Sequence, residues 1–222
     1  MSMQPRVIAL TGSPGTGKTT LALRLQKEGL SVIKLEEAAE SVDALSQFED
    51  SREVDISKLG EWEWEGDSHC VIDGHLSHHC PIDAVIVLRC NPIELRRRLE
   101  QRTGYGPEKI ESNVEWELIS GVWADLISVH PRVDVIEIDT TEQDVSIGSV
   151  LDFILNGKPS TSVEEFISDS IDWIATGIDA ESIWPFVARL HRLRWHLNNS
   201  ENGGKPSPRL LFPDWVRPIL PF

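Results

Sequence analysis

Several residue types are scarce in this chain, and each shortage excludes a class of protein. The three cysteines, Cys70, Cys80 and Cys90, are too few and odd in number for a disulfide framework, so a reducing compartment is expected. No run of about 18 apolar residues occurs, which excludes a transmembrane helix. The first ten residues, MSMQPRVIAL, lack the apolar core of a secretory signal. We therefore expect a cytoplasmic protein, or a nuclear one in a eukaryote, that does not bind membranes.

Basic residues are also scarce. Lysine and arginine number 21 against 36 acidic residues, which gives a net charge of −15. A broad basic surface for nucleic acid is disfavoured by that balance, so stable direct binding of DNA or RNA is not expected. The excess lies almost wholly in residues 1–157, which hold 14 basic and 28 acidic side chains, whereas residues 158–222 hold 7 and 8.

The length and composition predict one main domain with an appendage. A chain of 222 residues that is 40% apolar and 26% charged can bury a real core. The segment NGKPSTS at 156–162 has the composition of a linker. We therefore predict a domain over 1–157 and a mainly helical, Trp- and Pro-rich extension over 158–222, whose role the sequence does not indicate.

Short apolar runs alternate with amphipathic stretches, which predicts an α/β fold with a mostly parallel sheet flanked by helices. Strands are predicted at 6–11, 30–37, 70–74, 84–90 and 134–139. Helices are predicted after the first strand and at 38–47, 55–64, 91–102, 107–128 and 142–156. In the extension, Ser162 and Glu165 have the spacing of a capping box and predict a helix over 162–177. A second helix is predicted at 178–197, and the two helices together would place Trp173, Trp184 and Trp195 on one apolar face.

A glycine-rich loop follows the first predicted strand. Residues 12–19, GSPGTGKT, match G-x-x-x-x-G-K-[ST] at every fixed position, between a buried strand and an amphipathic helix. Glycines let backbone N–H groups turn toward a phosphate, Lys18 would charge-pair with the β- and γ-phosphates, and Thr19 would offer its hydroxyl to Mg²⁺. The pattern predicts an ATP site formed by Gly12, Ser13, Pro14, Gly15, Thr16, Gly17, Lys18, Thr19 and Thr20.

Other candidate residues lie at the ends of later elements. Asp73 ends the strand CVID and would complete a magnesium shell with Thr19, although an ordinary strand-end aspartate has the same pattern. His75 could orient a water molecule or a phosphate oxygen. Arg98 and Arg102 share one helical face and would clamp the transferring phosphoryl group, the alternative being a solvated helix paired with nearby acids.

Histidine and cysteine are concentrated around the third predicted strand. The spacing of these residues matches no standard zinc pattern, so we expect a histidine-rich loop over the active site rather than a metal cluster. The residues concerned are His69, Cys70, His75, His78, His79 and Cys80.

Separate pieces of the chain together resemble the adenylate kinase isoenzyme 6 family. These pieces span roughly residues 6–157, and the most specific are the Asp-Gly-His triplet and the Arg-Leu-x-x-Arg run that leads to Gly-Tyr. They comprise TGSPGTGKTT at 11–20, FEDSREVDISKL at 48–59, Asp73-Gly74-His75, Leu88-Arg89, Arg98 to Arg102 with Gly104-Tyr105, Lys109 to Asn113, Glu117, and Asp139-Thr140-Thr141.

The resemblance implies a P-loop nucleoside monophosphate kinase fold with a five-stranded parallel sheet. It implies an AMP-binding region around 36–66, a short lid around 98–113, magnesium at Asp73 and a role for His75 in ATP hydrolysis. Family members transfer phosphate between ATP and AMP and bind a platform protein of the small ribosomal subunit transiently, during late maturation of that subunit and its rRNA. This chain departs from the Arg-Gly-Tyr pattern of the lid, because Thr103 stands between Arg102 and Gly104.

Three functions therefore stay open at the level of sequence. The first is an adenylate kinase that converts ATP and AMP to two ADP with Mg²⁺ and also hydrolyses ATP. The second is an ATPase that acts as an assembly factor or chaperone for a ribosomal protein, with little kinase activity. The third is a small-metabolite kinase of the gluconate or shikimate type, which the Asp73-Gly74-His75 triplet disfavours.

Overall fold

The computed structural model describes residues 4–48, 51–142 and 145–176. Within these ranges the strands are β1 (Val7–Thr11), β2 (Ser31–Lys34), β3 (Leu45–Phe48), β4 (Ser51–Val54), β5 (Cys70–Asp73), β6 (Ala84–Arg89) and β7 (Asp134–Asp139). Five of them form one parallel sheet in the order β2-β5-β1-β6-β7, and β3 pairs with β4 as an antiparallel hairpin outside it. The predicted fold class is confirmed.

Helices pack on both faces of the parallel sheet. They are α1 (Lys18–Lys27), α2 (Leu35–Ser41), α3 (Ile56–Leu59), α4 (Pro92–Glu100), α5 (Pro107–Leu118), α6 (Gly121–Val129), α7 (Ile147–Asn156) and α8 (Val163–Phe166). In β1, Ile8 and Leu10 face the core beneath α1 and α7, whereas Ala9 faces the core beneath α6. Both faces are buried because every strand of a parallel sheet is covered by its crossover helices. None of the helices in the described residues has the length and apolarity to span a membrane.

The register of the sheet determines which loops meet. Leu10 lies opposite Asp73, and Thr11 lies opposite Val87. Because parallel strands end at the same edge, the loop after β1 and the end of β5 lie side by side. In open α/β sheets this carboxyl edge is where ligands bind.

The region 30–64 differs from its predicted elements. The predicted strand over 30–37 ends at Lys34, because Leu35 begins α2 and packs under Gly74, where a Cβ would lie 2.4 Å from the Leu35 Cβ. The predicted helix over 38–47 is wrong beyond Ser41. Asp43 adopts a left-handed φ of 52°, and the N–H of Ala44 donates to the carbonyl of Ala39 at 2.8 Å, which closes the helix. The hairpin β3-β4 follows, and the helix predicted over 55–64 is reduced to α3.

A single predicted helix over 107–128 is in fact two helices, α5 and α6. The break is at Ser120, whose φ is 53°. This turn brings the Ser120 hydroxyl to the Arg89 guanidinium, which donates to it at 2.9 Å. At Gly121 a Cβ would lie 2.3 Å from the Trp116 ring, so the close approach of the two helices requires glycine.

Residues 158–174 pack on the last strand of the sheet. The N–H of Val135 donates to Thr161, and the N–H of Val163 donates to Val133, so this segment covers the open edge of β7. The capping box of Ser162 and Glu165 is confirmed, but the predicted helix over 162–177 is reduced to α8 and a 3₁₀ turn.

The division of the chain at 157/158 stays a prediction. The chain as far as Ile174 forms one compact unit. The helix predicted at 178–197, with Trp184 and Trp195, lies outside the described residues, and Trp173 lies in a turn rather than on a helix.

Candidate functional site

The glycine-rich loop between β1 and α1 is held in shape from both sides. Gly12 has a φ of +131°, and a Cβ there would lie 2.2 Å from the Leu88 carbonyl oxygen, so no other residue fits. The Thr16 hydroxyl donates to the carbonyl of Ser13 at 2.9 Å. From the end of β7, the Thr140 hydroxyl lies 2.9 Å from the Thr16 carbonyl. The loop conformation is therefore fixed by the fold and does not have to form around a ligand.

Lys18 begins α1 and lies inside this loop. Its Nζ donates to the carbonyls of Gly12 at 2.8 Å and Ser13 at 2.9 Å. Burial lowers the pKa of Lys18 to about 8, against the opposing effect of the nearby carboxylates of Asp73 and Glu117. The first turn of α1 has no acidic residue and no capping side chain, so its free N–H groups present an uncompensated positive end. This combination favours an anion such as phosphate.

Thr19 and Asp73 are brought together at the carboxyl edge of the sheet. The Thr19 hydroxyl donates to the Asp73 carboxylate at 3.0 Å. Asp73 is buried, and desolvation raises its pKa while the Thr19 hydrogen bond and the Lys18 charge oppose that rise. A hydroxyl and a carboxylate oxygen at this separation fit the oxygen donors that Mg²⁺ prefers.

His75 lies on the loop that follows β5. Its backbone carbonyl accepts a hydrogen bond from the Thr11 hydroxyl at 2.9 Å, which ties this loop to the end of β1. Solvent reaches part of the ring, but protein atoms surround the rest. This desolvation, together with the positive charge of Lys18, lowers the pKa of His75 to about 4. The ring is therefore neutral at pH 7, and its unprotonated nitrogen can accept a hydrogen bond.

Three cations lie along α4, the turn after it and α5, and they differ in how firmly they are held. The Arg98 guanidinium donates to the carbonyl of Thr140 at 2.7 Å, and the same group lies 3.5 Å from the Gly15 carbonyl. Arg102 and Lys109 are exposed and lie 5.5 Å and 4.5 Å from the centroid of one ring, that of Tyr105.

These contacts leave the three cations with different freedom to move toward a bound phosphate. Arg98 joins α4 to the glycine-rich loop at 12–19, the phosphate loop, and to the end of β7. The charge of Arg102 lies close enough to contribute to the lowered pKa of Lys18. The charge of Lys109 likewise contributes to the lowered pKa of His75. Arg102, on the turn at 101–106, and Lys109, near the start of α5, are therefore close enough to the site to affect it, and neither has a carboxylate partner among the ion pairs of the described residues.

Of the residues predicted from the sequence, the structure brings Lys18, Thr19, Asp73 and His75 to one edge of the sheet. The Arg98 side chain reaches the glycine-rich loop at the backbone carbonyl of Gly15. Arg102 lies on the turn between α4 and α5. Their catalytic and binding roles stay predictions. The histidine-rich loop over the active site also stays a prediction; of the residues concerned, His69 lies away from the loop that carries His75, and its ring accepts the N–H of Arg6 at 3.0 Å.

Sequence reasoning named Glu117 on α5 as part of the family resemblance but gave it no role. Its side chain is buried and accepts hydrogen bonds from the Ser13 hydroxyl at 2.6 Å, the Arg89 Nε at 2.7 Å and the Trp173 indole N–H at 2.9 Å. It thus connects the phosphate loop to the central sheet and to the segment after α8. The available indication was an acidic residue on the helix face that also carries Ile110 and Val114, both of which are buried.

Arg89 is the buried partner of Glu117. Its side chain has no exposed surface, and its Nη1 donates to Glu137 at 2.8 Å, while its Nη2 donates to the carbonyl of Glu117 at 3.1 Å. The two carboxylates raise the pKa of Arg89, although burial opposes them. The network therefore keeps its charge, and Arg89 with two carboxylates ties β6, β7 and α5 together behind the phosphate loop.

A parallel sheet with a glycine-rich loop, an inward lysine and a Thr–Asp pair at its carboxyl edge defines a P-loop protein. A family model described as an AAA domain matches residues 8–120, about half of the chain. A protein of Pyrococcus abyssi named "Putative adenylate kinase" is 41% identical over 141 residues, 62% of this chain and 76% of that protein. One of the same name from Methanocaldococcus jannaschii is 33% identical over 180 residues, 77% of this chain and 98% of that protein.

The chain belongs to this adenylate kinase-like family of nucleotide kinases. The match to the Methanocaldococcus protein covers nearly that protein's full length. A solved sugar kinase from a Janibacter species, at 18% identity and a TM-score of 0.43, covers 70% of this chain and 96% of that chain. That likeness is too low to bear on the function.

Proposed function

We propose that this protein is a nucleoside monophosphate kinase that transfers the γ-phosphoryl group of ATP to AMP or a related monophosphate, with Mg²⁺, to give ADP. The observation that carries the proposal is the Thr19–Asp73 hydrogen bond of 3.0 Å, next to the buried Lys18 in the glycine-rich loop. Oxygen donors for a metal and a cation for phosphate are the two requirements of phosphoryl transfer. The names of the archaeal relatives support AMP as the acceptor.

The phosphate-binding role follows from the loop and α1. Backbone N–H groups of residues 12–19 and the positive end of α1 would bind the β- and γ-phosphates. Lys18 donates to loop carbonyls, and these bonds can be exchanged for phosphate oxygens because the Nζ already lies within the loop. A preorganised cation of this kind stabilises charge that develops in the transition state without reorganising first.

Thr19 and Asp73 would hold the magnesium ion. When bound, Mg²⁺ neutralises charge on the β- and γ-phosphate oxygens. The Thr19 hydroxyl offers a direct ligand, and the buried Asp73 carboxylate orients that ligand or a coordinated water. A cation beside Asp73 would also favour its ionised form, against the desolvation that raises the pKa of this carboxyl.

The exposed cations of the lid would act on the transferring group. Arg102 and Lys109 are not held by carboxylates in the described ion pairs, and both lie beside Tyr105 on the turn between α4 and α5. They can reach toward the phosphates when the turn closes. Arg98, whose guanidinium is engaged with Thr140, would position α4 rather than move with the substrate.

An assay of purified protein tests the proposal directly. With ATP and Mg²⁺, the rate of ADP formation is measured alone and after addition of AMP, CMP, GMP or UMP. The proposal expects ADP formation to rise severalfold or more with one monophosphate, AMP first among them, and the same experiment identifies the acceptor. If none of the four raises ADP formation above the rate with ATP alone, the kinase proposal is wrong.

A second candidate is an ATPase of small-subunit ribosome maturation, in which ATP turnover drives binding and release of a basic platform ribosomal protein. The neutral ring of His75, whose pKa is affected by the charge of Lys18, favours this activity, because it can accept a hydrogen bond from a water molecule and so orient it. The net charge of −15 suits a basic protein partner. In the same assay, His75→Ala should lower ADP formation from ATP alone, and leave the AMP-dependent rate less affected.

The pH dependence of ATP binding gives a further test of Lys18. Its pKa is lowered from 10.5 to about 8 in the folded protein. Phosphate binds the protonated amine, so above pH 8 a proton must be taken up on binding. We expect the affinity for ATP, measured by calorimetry at pH 7 to 10, to fall by up to about tenfold per pH unit above pH 8. An affinity that stays constant to pH 10 contradicts this role.

A further inference from the structure

Two histidines and an aspartate form a cluster that the phosphate site does not use. His78 and His79 lie in the 3₁₀ turn after β5, and Asp125 projects from α6. The His78 Nε2 lies 3.5 Å from the Asp125 Oδ2, and the His79 Nε2 lies 3.9 Å from the same oxygen. All three donor atoms lie within 4.8 Å of one another. None of the three residues belongs to the Lys18–Thr19–Asp73 group.

The hydrogen bonds around His78 determine which ring nitrogen carries the proton. The Thr11 hydroxyl lies 2.9 Å from the carbonyl oxygen of His75. A carbonyl can only accept, so the hydroxyl donates its single hydrogen to it. A lone pair of the same hydroxyl oxygen then accepts a hydrogen bond from the His78 Nδ1 at 2.8 Å. In the neutral form of the ring the proton is therefore on Nδ1, and in that form the Nε2 keeps a lone pair directed at Asp125.

That lone pair is buried without a partner. The His78 side chain is only 2% exposed, and its Nε2 has no hydrogen-bond partner among the described residues. The neighbouring atom is a carboxylate oxygen, so two acceptors face each other across 3.5 Å. Burying an acceptor in this way is costly unless a cation or a proton lies between the two.

We propose that His78, His79 and Asp125 bind a divalent transition metal of the zinc class, separate from the magnesium of the phosphate site. Imidazole nitrogens and a carboxylate oxygen are ligands that such ions take. In a tetrahedral zinc site with bonds of about 2.0–2.1 Å, neighbouring ligand atoms lie roughly 3.3 Å apart. The His78–Asp125 distance of 3.5 Å is close to that value and the His79–Asp125 distance of 3.9 Å is longer, while the partly exposed Asp125 leaves an open side for entry.

The surroundings of the cluster support a metal site. The Thr11 hydroxyl orients His78 through Nδ1, and hydrogen bonds of this kind orient metal-bound histidines. Because the same hydroxyl holds the His75 carbonyl, metal binding would also fix the loop that carries His75. His130 is not placed as a ligand, because its Nε2 is engaged with the Cys80 carbonyl at 3.2 Å.

The test is metal binding to the full chain after removal of metals with EDTA and in the absence of nucleotide. Zn²⁺ is titrated by calorimetry, and Co²⁺ by the visible absorption that marks nitrogen and oxygen ligands. We expect one equivalent of Zn²⁺ to bind with a rise in melting temperature. Asp125→Asn and His79→Ala should each weaken binding at least about tenfold. Both side chains are partly exposed, so these variants should fold where His78→Ala fails to.

His69→Gln is the matched control, because this histidine lies outside the cluster, and its variant should bind Zn²⁺ as the unaltered protein does. Asp73→Asn locates the ion. If that substitution weakens Zn²⁺ binding and Asp125→Asn does not, the ion lies at the phosphate site and the proposal is wrong. It is also wrong if the unaltered protein binds no Zn²⁺, in which case a proton shared by His78 and Asp125 fills the gap.

Discussion

Replacing Lys18 with methionine is expected to lower ADP formation by about 10²- to 10³-fold, the range found when one preorganised donor to a developing charge is removed. Lys18 Nζ is the cation inside the phosphate loop, held at 2.8 Å from the Gly12 carbonyl. Methionine has a similar length and apolar body but has no charge to donate. The measurement is the rate of ADP formation from ATP with the preferred monophosphate.

Two observations separate a catalytic role of Lys18 from a structural one. Burial already lowers the pKa of Lys18 to about 8, so its charge is unfavourable in the folded protein, and Lys18→Met should not lower the free energy of unfolding greatly. Lys27→Met, at the exposed end of the same helix, is the matched control and should keep the full rate. A Lys18→Met protein with more than half of the normal rate would rule out the proposed role.

The largest expected loss of stability comes from Glu117→Gln. The substitution leaves Arg89 fully buried with one carboxylate partner instead of two. Its amide N–H₂ replaces one of the two acceptor oxygens, so it faces either the Ser13 hydroxyl or the donors of Arg89 and Trp173. Breaking a buried ion pair by altering one partner costs about 3–5 kcal/mol. The free energy of unfolding, from urea denaturation followed by tryptophan fluorescence, gives the value.

Glu111→Gln is the control on the same helix. Its carboxylate pairs with Arg96 at 2.8 Å, but both side chains are partly exposed, and such pairs contribute about 0–1 kcal/mol. The contrast between the two substitutions isolates the effect of burial from that of charge removal. Equal losses for Glu111→Gln and Glu117→Gln would mean that the Arg89 network adds nothing beyond a surface pair.

The phosphate loop could be predicted because its determinants are local. Glycines at 12, 15 and 17 adopt φ values of 131°, 95° and 93°, and these are conformations that other residues rarely adopt. The fixed spacing of GSPGTGKT, between an apolar strand and an amphipathic helix, supplied the remaining information that identifies the loop. Asp73 could be placed near the loop as well, since parallel strands end at one edge of the sheet, although the register of β1 with β5 came from the structure.

Two helix predictions failed where a single residue changes the direction of the backbone. Asp43 and Ser120 adopt left-handed φ values of 52° and 53°, and each ends a helix that apolar spacing alone would have continued. Aspartate and serine fit helix interiors and turns alike, so their identity does not determine the conformation. At Ser120 the hydrogen bond from Arg89, 31 positions away, accompanies the turn, and no local pattern contains that partner.

By itself the sequence determined the α/β order, the phosphate loop and the strand that ends in Asp73, because short-range periodicity and glycine spacing carry that information. Only the tertiary structure decided that Glu117 joins Ser13 to Arg89 and Trp173, and that Asp125 faces His78. Those pairs are between 28 and 104 positions apart in the chain. Burial makes such contacts obligatory once the sheet and helices pack, since a charged or polar group removed from water must find a partner.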